Sequence, residues 1–188
     1  MLDEEHRAGG MPEAGAGAQP ALVAELAPVL GLARVGNGVA LLAVASSIAA
    51  LVTFPDSAAD VTGPGWAVAA LIASVVMLAI CTLQHLIWLR AMAQWRGERD
   101  DDLAPLARIS WIAHLVSYVV VLFGLYACIA ATLAAGSTAT SSALLAFSLL
   151  FLVVAQVLAG VQFLRVSGRS GTIPAHLRRM SEAIQRRR

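Results

Sequence analysis

The chain has 188 residues, 59% of them hydrophobic and only 13% charged, with a net charge of +1 and a mean hydropathy of +0.75. Soluble globular chains carry roughly 45–50% apolar and about 25% charged residues, so this composition excludes an ordinary water-solvated fold and calls for an apolar solvent. The near-neutral balance gives no reason to expect a nucleic-acid partner, and all thirteen basic residues are Arg, a bias that suggests a GC-rich bacterial genome.

Residues 1–20 are rich in Gly, Ala, Pro and Glu and show no apolar periodicity. Such a segment buries too little surface to offset its ordering entropy, so a disordered cytoplasmic leader is expected. From 21 onward a single membrane domain is expected. An uncharged apolar run covers 35–54, longer than a signal-peptide core and suited to an uncleaved first span. On it Gly36, Ala40, Ala43, Ser47 and Ala50 recur at helical spacing. This small-residue ridge allows a second helix to approach closely, so it should face protein.

Three further stretches, 66–89, 109–135 and 142–164, contain no Asp, Glu, Lys or Arg. Each exceeds the roughly 20 residues that cross a ~30 Å hydrocarbon core as a helix. Backbone groups in lipid must be paired internally, and the alternation of barrel strands is missing. The expected fold is therefore an all-α integral membrane protein, a four-transmembrane-helix bundle.

The second span carries Cys81, Gln84, His85 and Trp88 along one stripe, and the third carries Trp111, His114 and Tyr118. Paired antiparallel, these spans set Trp88 level with Trp111, His85 with His114 and Cys81 with Tyr118. Polar side chains inside a bilayer are costly, which makes the stripes candidates for a cofactor site. A haem b held by two imidazoles or a quinone headgroup would suit the histidines, and a transition metal would need further ligands. The plainer expectation is that His85, His114 and Gln84 satisfy one another or the backbone while Trp88 and Trp111 anchor at the interface. On the fourth span Ser148, Ala155, Ala159 and Gln162 form a weaker counterpart of the first ridge, with Gln156 and Gly160 beside it. The two cysteines, Cys81 and Cys128, fall at depths about 15 Å apart, too far for a disulfide.

Arginines set the orientation. Arg7 and Arg34 precede the first span, Arg90, Arg96, Arg99 and Arg108 lie between the second and third, and the rest follow the fourth. The other two connections hold Asp56 and Asp60 in one case and no charge in the other. Basic residues are retained inside, so both termini are expected in the cytoplasm of a bacterial cell, with the spans in its cytoplasmic (inner) membrane.

A pattern of acidic-Leu-Ala-Pro, Leu-Ala-Arg, hairpin and aromatic-Leu-Arg runs from Glu25 to Arg90 and again from Asp102 to Arg165. It predicts two parallel-related helical hairpins, an internal repeat about an axis along the membrane normal. The tail 165–188 sets Ile173, Leu177, Met180 and Ile184 among Arg178, Arg179, Arg186, Arg187 and Arg188. It predicts a C-terminal amphipathic interfacial helix on anionic lipid headgroups.

No phosphate loop, dinucleotide fingerprint, Cys-x-x-Cys or nucleophile elbow occurs, so nothing points to soluble enzyme chemistry. The leading expectation is a non-catalytic scaffold or accessory subunit that offers its ridge to another membrane protein or to a second copy of itself. The alternatives are a haem- or quinone-interacting redox protein using His85 and His114, and a small transporter or channel sensitive to Gln84 or Gln156.

Overall fold

A computed structural model describes residues 18–54, 62–95, 104–134 and 137–167. These form four α-helices and, among the described residues, no strand: α1 (Ala18–Val52), α2 (Thr62–Trp95), α3 (Ala104–Leu133) and α4 (Ala139–Ser167). Each contains a segment long and apolar enough to cross a membrane: Leu30–Val52, Thr62–Arg90, Arg108–Leu133 and Ala139–Phe163. At 1.5 Å per residue these segments measure roughly 35–44 Å, more than the hydrocarbon thickness.

The helices begin earlier than charge-free runs suggest. Residues 18–20, expected to be disordered, open α1, which runs on through Pro28. α2 begins with Pro64 in its first turn, where its missing N–H is not needed. Thr138 caps α4 by accepting the Ser141 N–H at 3.0 Å, while its own N–H donates to Ser141 Oγ at 2.9 Å. This reciprocal arrangement satisfies donors that a helix start otherwise strands. The leader before Ala18 and the basic tail with Arg178, Arg179, Arg186, Arg187 and Arg188 lie outside the described residues.

α1 packs against α2 and α4, α2 against α3, and α3 against α4, while α2 and α4 also touch across the middle. Ser47 meets both Ser74 and Ser148, and Gly36 approaches Leu158 and Gln162. Sequential neighbours are thus antiparallel, and Arg34, Arg90 and Arg108 mark one common end.

The α1 ridge is fully used within the chain: Ala40, Ala43, Ser47 and Ala50 have no exposed surface and Gly36 is buried. Its partner is the expected counterpart on α4, where Ser148, Ala155, Ala159 and Gln162 are also buried. Small side chains on both helices bring the backbones close enough for Ser148 Oγ to donate to Ala43 O at 3.1 Å.

Three hydroxyls join α1, α2 and α4 at mid-height. Ser74 donates to Ala70 O at 2.9 Å and Ser148 to Ala43 O. A hydroxyl has one proton, so in the 2.7 Å contact between Ser47 and Ser148 it is Ser47 that donates. All three protons are committed, and Ser74 and Ser148 lie 3.4 Å apart.

At a similar depth Gly124 of α3 lies against α2 and α4: a Cβ there would sit 2.9 Å from Leu152 Cδ1 and 3.3 Å from Ala73 Cβ. Leu152 can swing aside but Ala73 cannot. We expect Gly124→Ala to cost about 1–3 kcal/mol by overpacking and Gly124→Leu to abolish a cooperative melt. Gly38→Leu, at a glycine with nothing within 4 Å, is the control. Thermal unfolding of the three detergent-purified variants checks this, and equal midpoints for Gly124→Leu and Gly38→Leu would contradict it.

Candidate functional site

Polar side chains inside the helix assembly fall into two groups by height. From the hydroxyl lock towards the ends remote from Arg34, the buried hydroxyls are bonded: Ser47, Ser74 and Ser148 as above, and Ser141 with Thr138. Towards the arginine end the opposite holds. Asn37 Oδ1, both amide atoms of Gln84 and Gln156, His85 Nδ1, Trp88 Nε1, Ser110 Oγ and His114 Nδ1 are buried atoms with no hydrogen-bond partner among the described residues.

These residues come from all four helices and share a band about 10 Å deep at the arginine end, with Gln156, next to Ala155, at its inner edge. Asn37 follows Arg34, Trp88 and Gln84 precede Arg90, Ser110 and His114 follow Arg108, and Gln156 precedes Arg165. All lie within about nine residues, ~14 Å, of those arginines. Gln84 is 1% exposed, Trp88 3%, Ser110 2%, His114 6% and Gln156 8%. Because an unpaired buried polar group costs about 1–3 kcal/mol even in a protein interior, the layer is a concentrated liability unless something occupies it.

Below it the interior turns apolar. Ala40, Ala43, Met77, Cys81, Leu152 and Ala155 pack as one cluster, forming a floor between the polar layer and the hydroxyl lock. Ser117, at the rim of this floor, spends its proton on His114 O at 2.6 Å.

The two histidines share a level but do not face each other. His85 lies eleven residues after Ser74, three helical turns, so it occupies the face of α2 that meets α1. It is half-buried and within coulombic reach of Arg34. His114 turns instead to α4: its ring stacks on Phe163 at 4.2 Å between centroids and 10° between planes, and its Cε1 lies 3.9 Å from where a Gly160 Cβ would stand. Among the described residues no hydrogen bond or ring contact joins His85 to His114. Helix register places the two histidines at one depth, and it sets height without setting rotation.

Other stripe members divide likewise. Trp88 is buried in the assembly and is no interfacial anchor. Trp111 is half-buried and packs on Phe163 at 5.6 Å. Tyr118 is 49% exposed, touches His114 edge-on at 5.0 Å, and does not pair with buried Cys81. Cys81 and Cys128 are both free thiols. Among the described residues no three His, Cys, Asp or Glu side chains gather to hold a metal ion.

Sequence reasoning passed over Asn37, Ser110 and Phe163 as site residues. Ser110 was detectable, since it lies four residues before His114 on the same helix face. Asn37 sits beside the ridge glycine and was hidden by it.

No protein-family model matches this chain, and none of the curated proteins or solved structures matches it either.

The division by height has a direct test. Gln84→Met removes two unpaired groups and should leave the melting midpoint of the ligand-free protein unchanged or raise it. Ser47→Val breaks a satisfied contact and should lower stability by about 1 kcal/mol. Parallel melts that ranked the two substitutions the other way round would refute the assignment of paired and unpaired groups.

Proposed function

We propose that the chain is a four-span protein of a bacterial cytoplasmic membrane, with both ends in the cytoplasm, that binds a small uncharged hydrogen-bonding ligand in the polar layer without transforming it. The observation that carries this is the set of unpartnered groups that four helices bring to the arginine end. Membrane insertion is supported by outward-facing apolar side chains such as Leu41, Ile72, Val119, Leu122, Phe147 and Val157, each at least 54% exposed in the isolated chain. A water-soluble monomer does not present such a surface, and the arginine partition orients it. Impermeant labelling should place a cysteine at Asp56 in the opposite compartment from one at Arg96; the same compartment would refute the topology.

The hairpins α1–α2 and α3–α4 are read as a duplicated unit. Supporting this, the hydroxyls of Ser74 and Ser148, 74 positions apart, meet where α2 and α4 cross, and Leu-Ala-Arg recurs after 74 residues and aromatic-Leu-Arg after 75.

A scaffold role would need a docking surface other than the small-residue ridge, which α4 already covers. A haem bound by both imidazoles would need His114 to leave its stack on Phe163 and His85 to turn away from α1. The quinone headgroup keeps a specific observation in its favour: the Trp88 indole N–H and the Gln84 and Gln156 amide N–H groups are the donors that two quinone carbonyls accept.

Two measurements separate these roles. The absorption spectrum of protein purified from haem-replete cells should lack a Soret band, and a six-coordinate bis-imidazole spectrum would reinstate haem. In thermal-shift titrations, a short-chain quinone, acetamide or glycerol should raise the midpoint of the wild type and not of a Gln84→Leu/Gln156→Leu variant. Equal shifts in both proteins, or none with any of the three, would refute ligand binding in this layer.

A further inference from the structure

Resting on the binding role proposed above, we infer that the polar layer is a hydrated pocket open to the arginine-bearing face and closed towards the other. It therefore admits small, uncharged, water-soluble molecules of amide, urea or polyol type in preference to a ligand delivered through lipid.

The first argument is the asymmetry of pairing. Facing hydrocarbon, an unpaired amide or hydroxyl costs several kcal/mol. At mid-height this chain pays no such penalty, since Ser47, Ser74 and Ser148 each place their proton on an acceptor within 2.7–3.1 Å. Within about 14 Å of the arginines the same helices leave Gln84, Gln156, Trp88, Ser110 and His114 unpaired, every one more than nine-tenths buried. Water supplied from that face accounts for the unpaired groups of all four helices gathering towards the arginine end.

The second argument concerns closure. Beneath the layer, Ala40, Ala43, Met77, Cys81, Leu152 and Ala155 are at most 6% exposed, and the lock beyond them has no spare proton to draw a water chain onward. Laterally, the α3–α4 gap at this height is walled by Trp111 and His114 against Phe163, with Tyr118 on the edge of His114. The α1–α4 gap is closed by Gly36 against Leu158 and Gln162. With these two seams closed, an isoprenoid tail would have to enter between α1 and α2 or between α2 and α3.

The third is chemical. Trp88 offers only a donor, Asn37 Oδ1 only an acceptor, and each Gln offers both. No Asp, Glu, Lys or Arg is among the unpaired groups, so an ion entering the layer would surrender its hydration without a countercharge. Arg34, Arg90 and Arg108, exposed at the mouth, further disfavour cations. A neutral molecule with donors and acceptors on one small frame matches the lining.

Access is read out by cysteine modification in oriented, sealed vesicles, on a Cys81→Ala/Cys128→Ala background. The probe is iodoacetamide, itself a small uncharged amide, added briefly to the face that exposes Arg96→Cys. Gln84→Cys and Gln156→Cys should react about a hundredfold faster than Ser148→Cys, because a polar reagent is supplied by water and enters a dry apolar floor poorly. High acetamide or urea should slow both reactions. Modification of Ser148→Cys at the same rate would overturn the closed floor. Reaction at 84 and 156 only with a lipid-soluble maleimide would overturn the aqueous route while leaving ligand binding intact, delivered through the bilayer. Reaction with neither reagent would overturn both. Hydroxyl-radical footprinting of the wild type in nanodiscs needs no substitution: Trp88 and His114 should be oxidised and Met77 spared, although methionine is intrinsically the more reactive. Oxidation of Met77 equal to that of Trp88 would contradict a dry floor.

Discussion

In the membrane setting proposed above, hydrogen bonds must be completed inside the protein wherever lipid is the solvent, and this one constraint accounts for how the molecule is organised. It forces the backbone into four helices, since each helix pairs its own N–H and C=O groups. It also makes every buried side-chain donor or acceptor a structural commitment. The chain answers in two different ways along its height, and that difference carries the functional conclusion.

At mid-height the answer is complete pairing. Three serines from three helices, each with one proton and one assigned acceptor, tie α1, α2 and α4 together. Their meeting depends on small neighbours: Ala40, Ala43 and Ala50 on α1, and the missing side chain of Gly124 on α3, where a Cβ would collide with Leu152. Hydrophobic attraction between helices is weak when the surroundings are equally apolar, so close backbone approach and interhelical hydrogen bonds supply the specificity. At the opposite end from the arginines α3 and α4 separate slightly, leaving an apolar crevice of about 220 Å³ lined by Cys128, Thr132, Ser142 and Leu149 among others. Thr132 and Ser141, near that crevice, are nonetheless bonded to Cys128 O and Thr138 O. Looser packing there has not cost any pairing.

Towards the arginines the chain keeps larger polar side chains, amides, imidazoles and an indole, and leaves them without partners. Packing explains part of this. Phe163 occupies the face of the His114 ring, and among the described residues no hydrogen bond joins that ring to His85. This contrast between satisfied small hydroxyls and stranded large amides is the ground on which the proposed one-sided entry of polar molecules rests.

Much of this was legible in the residue order. Charge-free runs of sufficient length located four helices, because a charge in hydrocarbon is costly enough to mark where a span ends, although α1 begins at Ala18, well before its charge-free run at 35. The periodic small residues of α1 and α4 identified two packing faces. Those faces are spent on each other, which periodicity could not reveal since it names no partner. The heights of Gln84, His85, Trp88, Ser110 and His114 were also readable, as they follow from counting residues in antiparallel helices. Tertiary structure alone decided how each helix is turned about its axis. That rotation buries Trp88, exposes Tyr118, sends His85 and His114 to different neighbours, and brings Ser47, Ser74 and Ser148 together. The physical reason is that axial position is set by the solvent, which acts along the membrane normal, whereas rotation is set by side-chain contacts with three other helices at once.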